Sequence, residues 1–199
     1  MRSTMLEAVV KIKTTRFGEL EVDKKDIINF KEGLLGFDSL TKFFVVDPGD
    51  QTLILWLQSV EDAGTAFPMI EPKIYQADYS VKLLPAELTS LELESLNEAS
   101  VYTILTIPQV VTEMSANLKA PIIINNKTKA ARQIVLQDSK LEVRHLMYKE
   151  LKRHIVNYAS DDTRRVRGQE NMAPGATDTT PTTPVVSADQ KPNNTTPQA

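Results

Sequence analysis

The stretch DPGDQTLILWLQSVEDAGTAFPMIEP, residues 47–72, decides the fold that this sequence predicts. It contains the only tryptophan of the chain, Trp56, within an apolar run over 53–57. A continuous apolar run of this length indicates a strand covered on both faces, or else a buried helix segment. Turn-forming residues flank the run on both sides and favour the strand.

A second candidate strand follows within the same stretch, over 66–70, and it contains Pro68. Proline has no N–H group to donate to a sheet ladder, so we expect this strand at a sheet edge or at a bulge. The whole stretch therefore predicts the centre of a small β fold with an edge beside it.

The composition is that of an ordinary water-soluble chain of 199 residues, long enough for one domain or for one domain and a tail. The net charge of −3 predicts no general attraction to nucleic acid or to an anionic membrane. The absence of cysteine excludes disulfides, thiolate nucleophiles and cysteine-ligated zinc. Neither a signal sequence nor an apolar run long enough to span a bilayer occurs, which predicts a cytoplasmic protein.

The rest of the chain predicts a mainly β fold. One helix is predicted to begin at Pro85, with Leu84, Leu88 and Leu91 on one face. The segment 141–158 suggests a second helix. Further candidate strands, separated by turn signals, lie over 9–13, 17–22, 26–30, 43–46, 100–107, 120–125 and 130–137.

This pattern predicts a β-barrel or sandwich over residues 9–158, and we favour a small β-barrel-like domain of short antiparallel strands with one or two short helices. Residues 1–8 are predicted to be a flexible lead-in. Residues 159–199 contain five of the eleven prolines and no aromatic residue. Such a segment cannot bury enough surface to offset its ordering entropy, so a disordered C-terminal tail is predicted.

No catalytic constellation is recognisable, and we expect neither an enzyme nor a bound metal or cofactor. The chain has two histidines, His145 and His154, whose separation does not match a paired-ligand helix motif. The glycines Gly33 and Gly36 form no phosphate-binding loop, because the Lys-Ser/Thr ending is missing. An enzyme with an unrecognised carboxylate site stays as an alternative, since sequence cannot show two carboxylates facing one another across a cleft.

The segment after Phe67 is the best candidate for a protein-binding surface, because Pro68 and Pro72 interrupt backbone pairing there. Protein interfaces use aromatic anchors with a charged rim. An equally good interpretation is that both tyrosine rings cover the mouth of the barrel. The candidate contact residues are Glu71, Tyr75, Asp78, Tyr79 and Ser80.

Direct RNA binding is the alternative function for a small β-barrel. The basic segments 127–132 and 164–167 could contact phosphates. A sheet that reads RNA also needs exposed aromatic residues among the basic ones, and Tyr102 is the only aromatic residue in its strand. We therefore predict that no nucleic acid binds directly.

Three blocks of sequence, in this order and spacing, resemble the flagellar assembly factor FliW family. The first is Phe30-x-x-Gly33-Leu-x-Gly36-Phe37, and the second runs from Trp56-Leu-Gln-Ser-Val-x-Asp62 to Ala66-Phe-Pro-x-Ile-x-Pro72. The third is Ala116-Asn-Leu-x-Ala-Pro-Ile-x-Ile-Asn125, followed by Arg132-Gln-x-Val-x-Gln137. The resemblance covers about residues 9–150.

This resemblance implies a non-enzymatic bacterial regulator with a β-barrel-like fold, active in the cytoplasm and monomeric when unbound. Members of the family bind flagellin and the translational regulator CsrA, which relieves the repression of flagellin mRNA by CsrA. The matching positions are mostly glycine, proline and apolar residues, which define a fold rather than a site. We place the CsrA-binding surface on residues 71–80 as a hypothesis from the residues themselves.

Overall fold

The computed structural model describes residues 8–49 and 53–155, all within one compact unit of residues 1–161. The predicted tail over 159–199 lies outside the described residues, as does the predicted lead-in apart from Ala8.

The described chain is mainly β, as predicted, with two short helices. The helices are α1, Pro85–Ser90, and α2, over 148–155. No described helix is long and apolar enough to cross a membrane. The strands are β1 Val9–Thr14, β2 Gly18–Asp23, β3 Ile28–Phe30, β4 Lys42–Val46, β5 Leu55–Ser59, β6 Ala66–Ile70, β7 Ala99–Thr106, β8 Ser115–Ala116, β9 Ile122–Asn125, β10 Ala130–Gln133 and β11 His145–Leu146.

Seven of these strands close into a barrel in the order β7-β6-β5-β4-β3-β10-β9, and β9 pairs again with β7. Strands β8 and β11 extend the sheet beyond β7. The pairs are antiparallel except for β3 and β10, which run parallel. The antiparallel prediction was therefore wrong for this one pair.

The barrel interior is filled by apolar side chains from all seven strands and from the loop after β3. Phe30 and Phe43 pack edge to face with ring centroids 5.2 Å apart, the aromatic geometry that the ring quadrupoles favour. The fully buried members of this interior cluster are Ile28, Phe30, Leu34, Phe43, Leu57, Met69, Ile122, Ile124 and Ala131.

Strand β5 is covered on both faces, which confirms the prediction from its sequence. Leu57 points into the barrel and is fully buried. The neighbouring Trp56 points outwards beneath the β1–β2 hairpin. There the ring of Phe17 meets its ring edge-on at 5.9 Å, and the guanidinium of Arg16 lies 4.0 Å from its centroid.

Strand β6 is an interior strand of the barrel, so the prediction of an edge strand was wrong. It pairs with β5 over four residue pairs, including Pro68 with Trp56. On its other side it pairs with β7 only at Met69 and Ile70. The β6–β7 pairing begins only after Pro68. Pro68 is therefore tolerated, because no ladder hydrogen bond requires an N–H group at its position.

A second cover, residues 71–98, packs on the outer face of β7 and β9. It joins residues 114–118, 134–136 and 147–151 in the largest apolar cluster of the protein. Within it the predicted helix is confined to α1, while Leu91 lies just beyond and is fully buried. This cover is otherwise mostly irregular.

Candidate protein-binding surface

Residues 71–80 connect the barrel to its second cover. The segment leaves β6 at Glu71 and forms a 3-10 turn, Pro72–Ile74, with proline at the position where no N–H group is required. The carboxylate of Glu71 makes no capping hydrogen bond to this turn. It is therefore available at the surface.

The two candidate tyrosines belong to the core, not to the surface. Tyr75 and Tyr79 are 7% and 5% exposed and lie in the outer apolar cluster. The Tyr79 hydroxyl donates to the carbonyl of Leu118 at 2.8 Å. Thr103 donates to the carbonyl of Ile70, so its Oγ1 accepts the Tyr75 hydroxyl at 2.8 Å. Both rings are therefore buried, but they lie in the outer apolar cluster and do not cover the barrel mouth, as the second interpretation had them.

Burial keeps both tyrosines protonated. It raises the pKa of Tyr75 to about 12, although the hydrogen bond with Thr103 acts in the opposite direction. Burial also raises the pKa of Tyr79, and the neighbouring Tyr75 adds to the effect. Both hydroxyls therefore remain neutral donors throughout the physiological range.

The other three candidate residues, Glu71, Asp78 and Ser80, are exposed. Asp78 accepts a hydrogen bond from the Nε2 of Gln76 at 2.5 Å. Two shallow depressions of about 340 and 410 Å³ meet at Glu71 and share Tyr102 in their lining. Glu71 and Tyr102 are therefore neighbours on this part of the surface.

Tyr102 is the aromatic residue of the strand predicted over 100–107. It lies on β7 and is half-buried against the barrel interior. Val101 and Thr103 on either side of it face the second cover, and this alternation is the signal that could have placed Tyr102 on the inner face of β7. The surface thus combines an acidic rim with one partly exposed aromatic ring.

The second cover is strongly acidic. Residues 71–98 contain six carboxylates and two lysines, a net charge of −4. Among the described residues, none of these carboxylates forms an ion pair with a basic side chain. The six are Glu71, Asp78, Glu87, Glu92, Glu94 and Glu98.

Two of the other candidate groups have structural partners. Arg132 pairs with Glu32 at 2.9 Å. The ring of His145 stacks on Tyr75 with centroids 6.2 Å apart. No group of three or more His, Asp or Glu in the described ranges could hold a metal ion. The basic segment 164–167 falls outside those ranges.

A family model described as FliW protein matches residues 11–147. The chain belongs to the FliW family. It is 39% identical over 145 residues to the flagellar assembly factor FliW of Bdellovibrio bacteriovorus, with 73% of this chain and 83% of that protein covered. It is 38% identical over 132 residues to the flagellar assembly factor FliW of Thermosipho africanus, covering 66% and 91% of the two chains.

A crystal structure of the flagellar assembly factor FliW has the same fold. It aligns with a TM-score of 0.66 at 30% identity and covers 69% of this chain and 96% of that one. The family resemblance and the barrel architecture inferred from sequence are therefore confirmed.

The FliW-like motif at 58–62 builds the loop between β5 and β6. Gln58 is fully buried, and its Nε2 donates to the carbonyl of Thr65 at 3.0 Å. The Ser59 hydroxyl accepts from the N–H groups of Glu61 and Asp62, both at 3.0 Å. Asp62 then accepts the Thr65 hydroxyl at 2.5 Å.

The glycine motif of the family is likewise structural. Gly33 has φ +70°, and a Cβ atom there would lie 2.6 Å from the carbonyl oxygen of Phe37. Such a conformation and such a close approach both favour glycine. These FliW motifs therefore define the fold.

Proposed function

We propose that this protein is a non-enzymatic flagellar assembly factor that acts in the cytoplasm by binding flagellin and CsrA, and so relieves the repression of flagellin mRNA. The observation that carries the proposal is the family membership over residues 11–147, together with the names of the relatives. The acidic second cover supports it, because unpaired carboxylates on a rigid barrel suit a basic protein partner.

The CsrA surface in this proposal comprises Glu71, Asp78 and Ser80, and we include Tyr102 because it lines both depressions at Glu71. Tyr75 and Tyr79 act indirectly, because their buried hydroxyls hold this segment on Thr103 of β7 and on Leu118. Burial of the Tyr102 ring by the partner supplies apolar contact, and the two carboxylates steer the encounter.

Binding of purified flagellin and of purified CsrA, measured by isothermal titration calorimetry, tests the function. We expect both proteins to bind the full chain, while mobility shifts with flagellin leader RNA show no complex in the absence of CsrA. If the chain shifts the RNA alone and binds neither protein, the RNA-binding alternative replaces the proposal.

The double variant Glu71→Lys and Asp78→Lys tests the surface. We expect roughly tenfold weaker CsrA binding and a smaller dependence of the association rate on salt. The matched control is Asp26→Lys and Asp38→Lys, which makes the same charge change at exposed positions that line neither depression. Equal CsrA affinity in both folded double variants would place the CsrA surface elsewhere.

A further inference from the structure

The chain stays extended after β10 and keeps pairing with the segment before β9. In the ladder Gln133 lies opposite Ile122. Beyond it, the N–H of Ile134 donates to the carbonyl of Pro121 at 3.0 Å, and that of Leu136 donates to the carbonyl of Lys119 at 2.8 Å. The antiparallel register therefore continues through residue 136. This agrees with the strand that the sequence predicts over 130–137.

The other side of this extension is open. Alternate residues of an antiparallel pair direct their N–H and C=O groups to opposite sides, so Val135 and Gln137 face away from 119–121. Strand β3 pairs with β10 only at Ala130 and Ala131. Among the described residues, the N–H groups of Val135 and Gln137 have no hydrogen-bond partner.

A groove of about 440 Å³ runs along this extension, with the segment 80–84 on its other side. The main-chain N–H groups of 81–83 also have no partner in the described part of the chain. The N–H of Leu84 is already used, because it donates to the carboxylate of Glu87 at 2.7 Å. The groove therefore lies between two stretches of unpaired backbone.

The groove is lined by five apolar and five polar side chains, and three of the polar ones are charged. Leu84 and Val135 are 66% and 47% exposed. The carboxylates of Glu87 and Asp138 each accept a main-chain N–H group. In contrast, the ammonium group of Lys82 has no carboxylate partner among the described residues.

We propose that this groove binds an extended segment of a partner protein, which adds a strand to the open edge at Val135 and Gln137. Its apolar side chains cover Leu84 and Val135, and one of its carboxylates meets Lys82. Addition of a strand is the recognition mode in which main-chain hydrogen bonds supply affinity and alternate side chains supply specificity. The inference goes beyond the proposed function and does not rest on it, since the groove shares only Ser80 with the surface around Glu71.

An extended segment fits the edge better than a helix does. The free N–H groups of Val135 and Gln137 are two residues apart, roughly 7 Å along a strand, and they need acceptors at the same spacing. A helix uses its own carbonyl groups internally, so it cannot offer such a row. An open edge is also a template for strand pairing wherever it is left uncovered.

Selection of peptides from a random 12-residue phage library against the full chain tests the proposal. We expect enriched peptides in which apolar residues alternate and which carry an aspartate or glutamate. Calorimetry with the synthetic peptides should show that Val135→Pro weakens binding by about tenfold or more, because it removes a main-chain donor. Val135→Thr is the matched control, since it keeps both the N–H group and the branched shape, and we expect a change of less than about threefold.

Amide hydrogen exchange on the unmodified chain provides a second measurement that requires no substitution. In the free protein the amides of Ile134 and Leu136 should exchange slowly and those of Val135 and Gln137 rapidly, and the peptide should slow the latter two. Lys82→Glu should weaken binding of the acidic peptides, and lysine in place of their carboxylate should restore it.

Three results would overturn the proposal: no enriched peptide, equal binding by Val135→Pro and Val135→Thr, or no added protection at Val135 and Gln137. A concentration-dependent dimer that Val135→Pro abolishes would also overturn it, because a second copy of this chain would then occupy the edge. None of these results bears on the binding of flagellin or CsrA, so the two proposals fail separately.

Discussion

The barrel has two covers, and they are built on different principles. The β1–β2 hairpin forms its own ladder of six residue pairs and closes a small apolar cluster around Phe44. Its charges are paired locally, as between Lys11 and Glu21 at 3.3 Å. The second cover, 71–98, forms no ladder with the strands beneath it, and in the described structure its carboxylates have no basic partners.

The difference shows how each cover is held to the barrel. The hairpin pairs the facing backbone groups of its two strands, and it is fixed to the barrel by apolar contact and by the hydrogen bond from the Thr15 N–H to the carbonyl of Ala63 at 2.9 Å. The irregular cover depends on buried side-chain hydrogen bonds from the barrel, such as those from Asn125 Nδ2 to the carbonyls of Leu91 and Glu92 at 3.0 and 2.8 Å. Three of its carboxylates, those of Asp78, Glu87 and Glu98, accept hydrogen bonds from within the cover itself.

The largest expected effect is loss of apolar packing under the irregular cover. Leu91→Ala should lower the free energy of unfolding by about 2–5 kcal/mol, because Leu91 is fully buried in the outer cluster. Urea denaturation measures the change. The control is Leu84→Ala at a position 66% exposed, for which we expect a change within about 0.5 kcal/mol. Equal effects of the two variants would mean that this cover is not held by burial.

The second prediction concerns alkaline pH. Folding raises the pKa of Tyr75 from 10.0 to about 12 because the ring is buried. Its contribution to stability is therefore complete below pH 10 and is lost as the pH rises from 10 to 12, by on the order of 2 kcal/mol. Unfolding curves at several pH values should show that Tyr75→Phe loses less stability across this window.

Burial also raises the pKa of Tyr79. The Tyr75→Phe variant should therefore still lose part of its stability at alkaline pH. A transition of the same size with and without the Tyr75 hydroxyl would contradict the assignment. The β1–β2 hairpin contains no tyrosine, so no tyrosine of the hairpin affects the comparison of the unmodified chain with Tyr75→Phe.

Removal of one buried hydroxyl should have a smaller effect at neutral pH. Tyr79→Phe leaves the ring in place but deprives the carbonyl of Leu118 of its donor. We expect a loss of about 1–2 kcal/mol in the free energy of unfolding. Tyr148→Phe is a suitable control, because that half-buried ring packs against the same cluster and its hydroxyl forms no hydrogen bond within the described residues. Unchanged stability of Tyr79→Phe would show that water replaces its hydroxyl.

The smallest effect is expected on the hairpin. Arg16→Ala removes the guanidinium that lies over Trp56 and should cost about 0.5–1 kcal/mol. Arg16→Lys keeps a cation there and should cost less. Fluorescence of the single tryptophan reports the change directly, and an unaltered spectrum in the alanine variant would argue against this contact.

Much of the fold could be predicted from local pattern. The apolar run around Trp56, the hairpin before it and the strand that carries Tyr102 were all recognised, because periodicity and turn residues act over a few positions. The edge position predicted from Pro68 is wrong. The free energy that a proline costs in a sheet depends on whether a neighbouring strand requires an N–H group at that position. The parallel pairing of β3 with β10 involves residues about 100 positions apart, and no local signal encodes it.

The candidate surface could be predicted only in part. The acidic character around Glu71 and Asp78 is visible in composition, and both residues are exposed. The sequence fits Tyr75 and Tyr79 equally well as contact residues of a protein interface and as buried residues of the core. In an irregular segment a spacing of four does not determine the direction of either ring.

The sequence by itself determined the class of fold, the family and the strand that the barrel is built around, because glycine, proline and apolar spacing constrain the backbone locally. Only the tertiary structure decided which aromatic rings are buried and which edge stays open. Tyr75 lies inside because Thr103 offers a partner there, and Val135 has a free N–H group because β3 pairs no further than Ala131. Both facts depend on contacts between distant parts of the chain, which no local pattern contains.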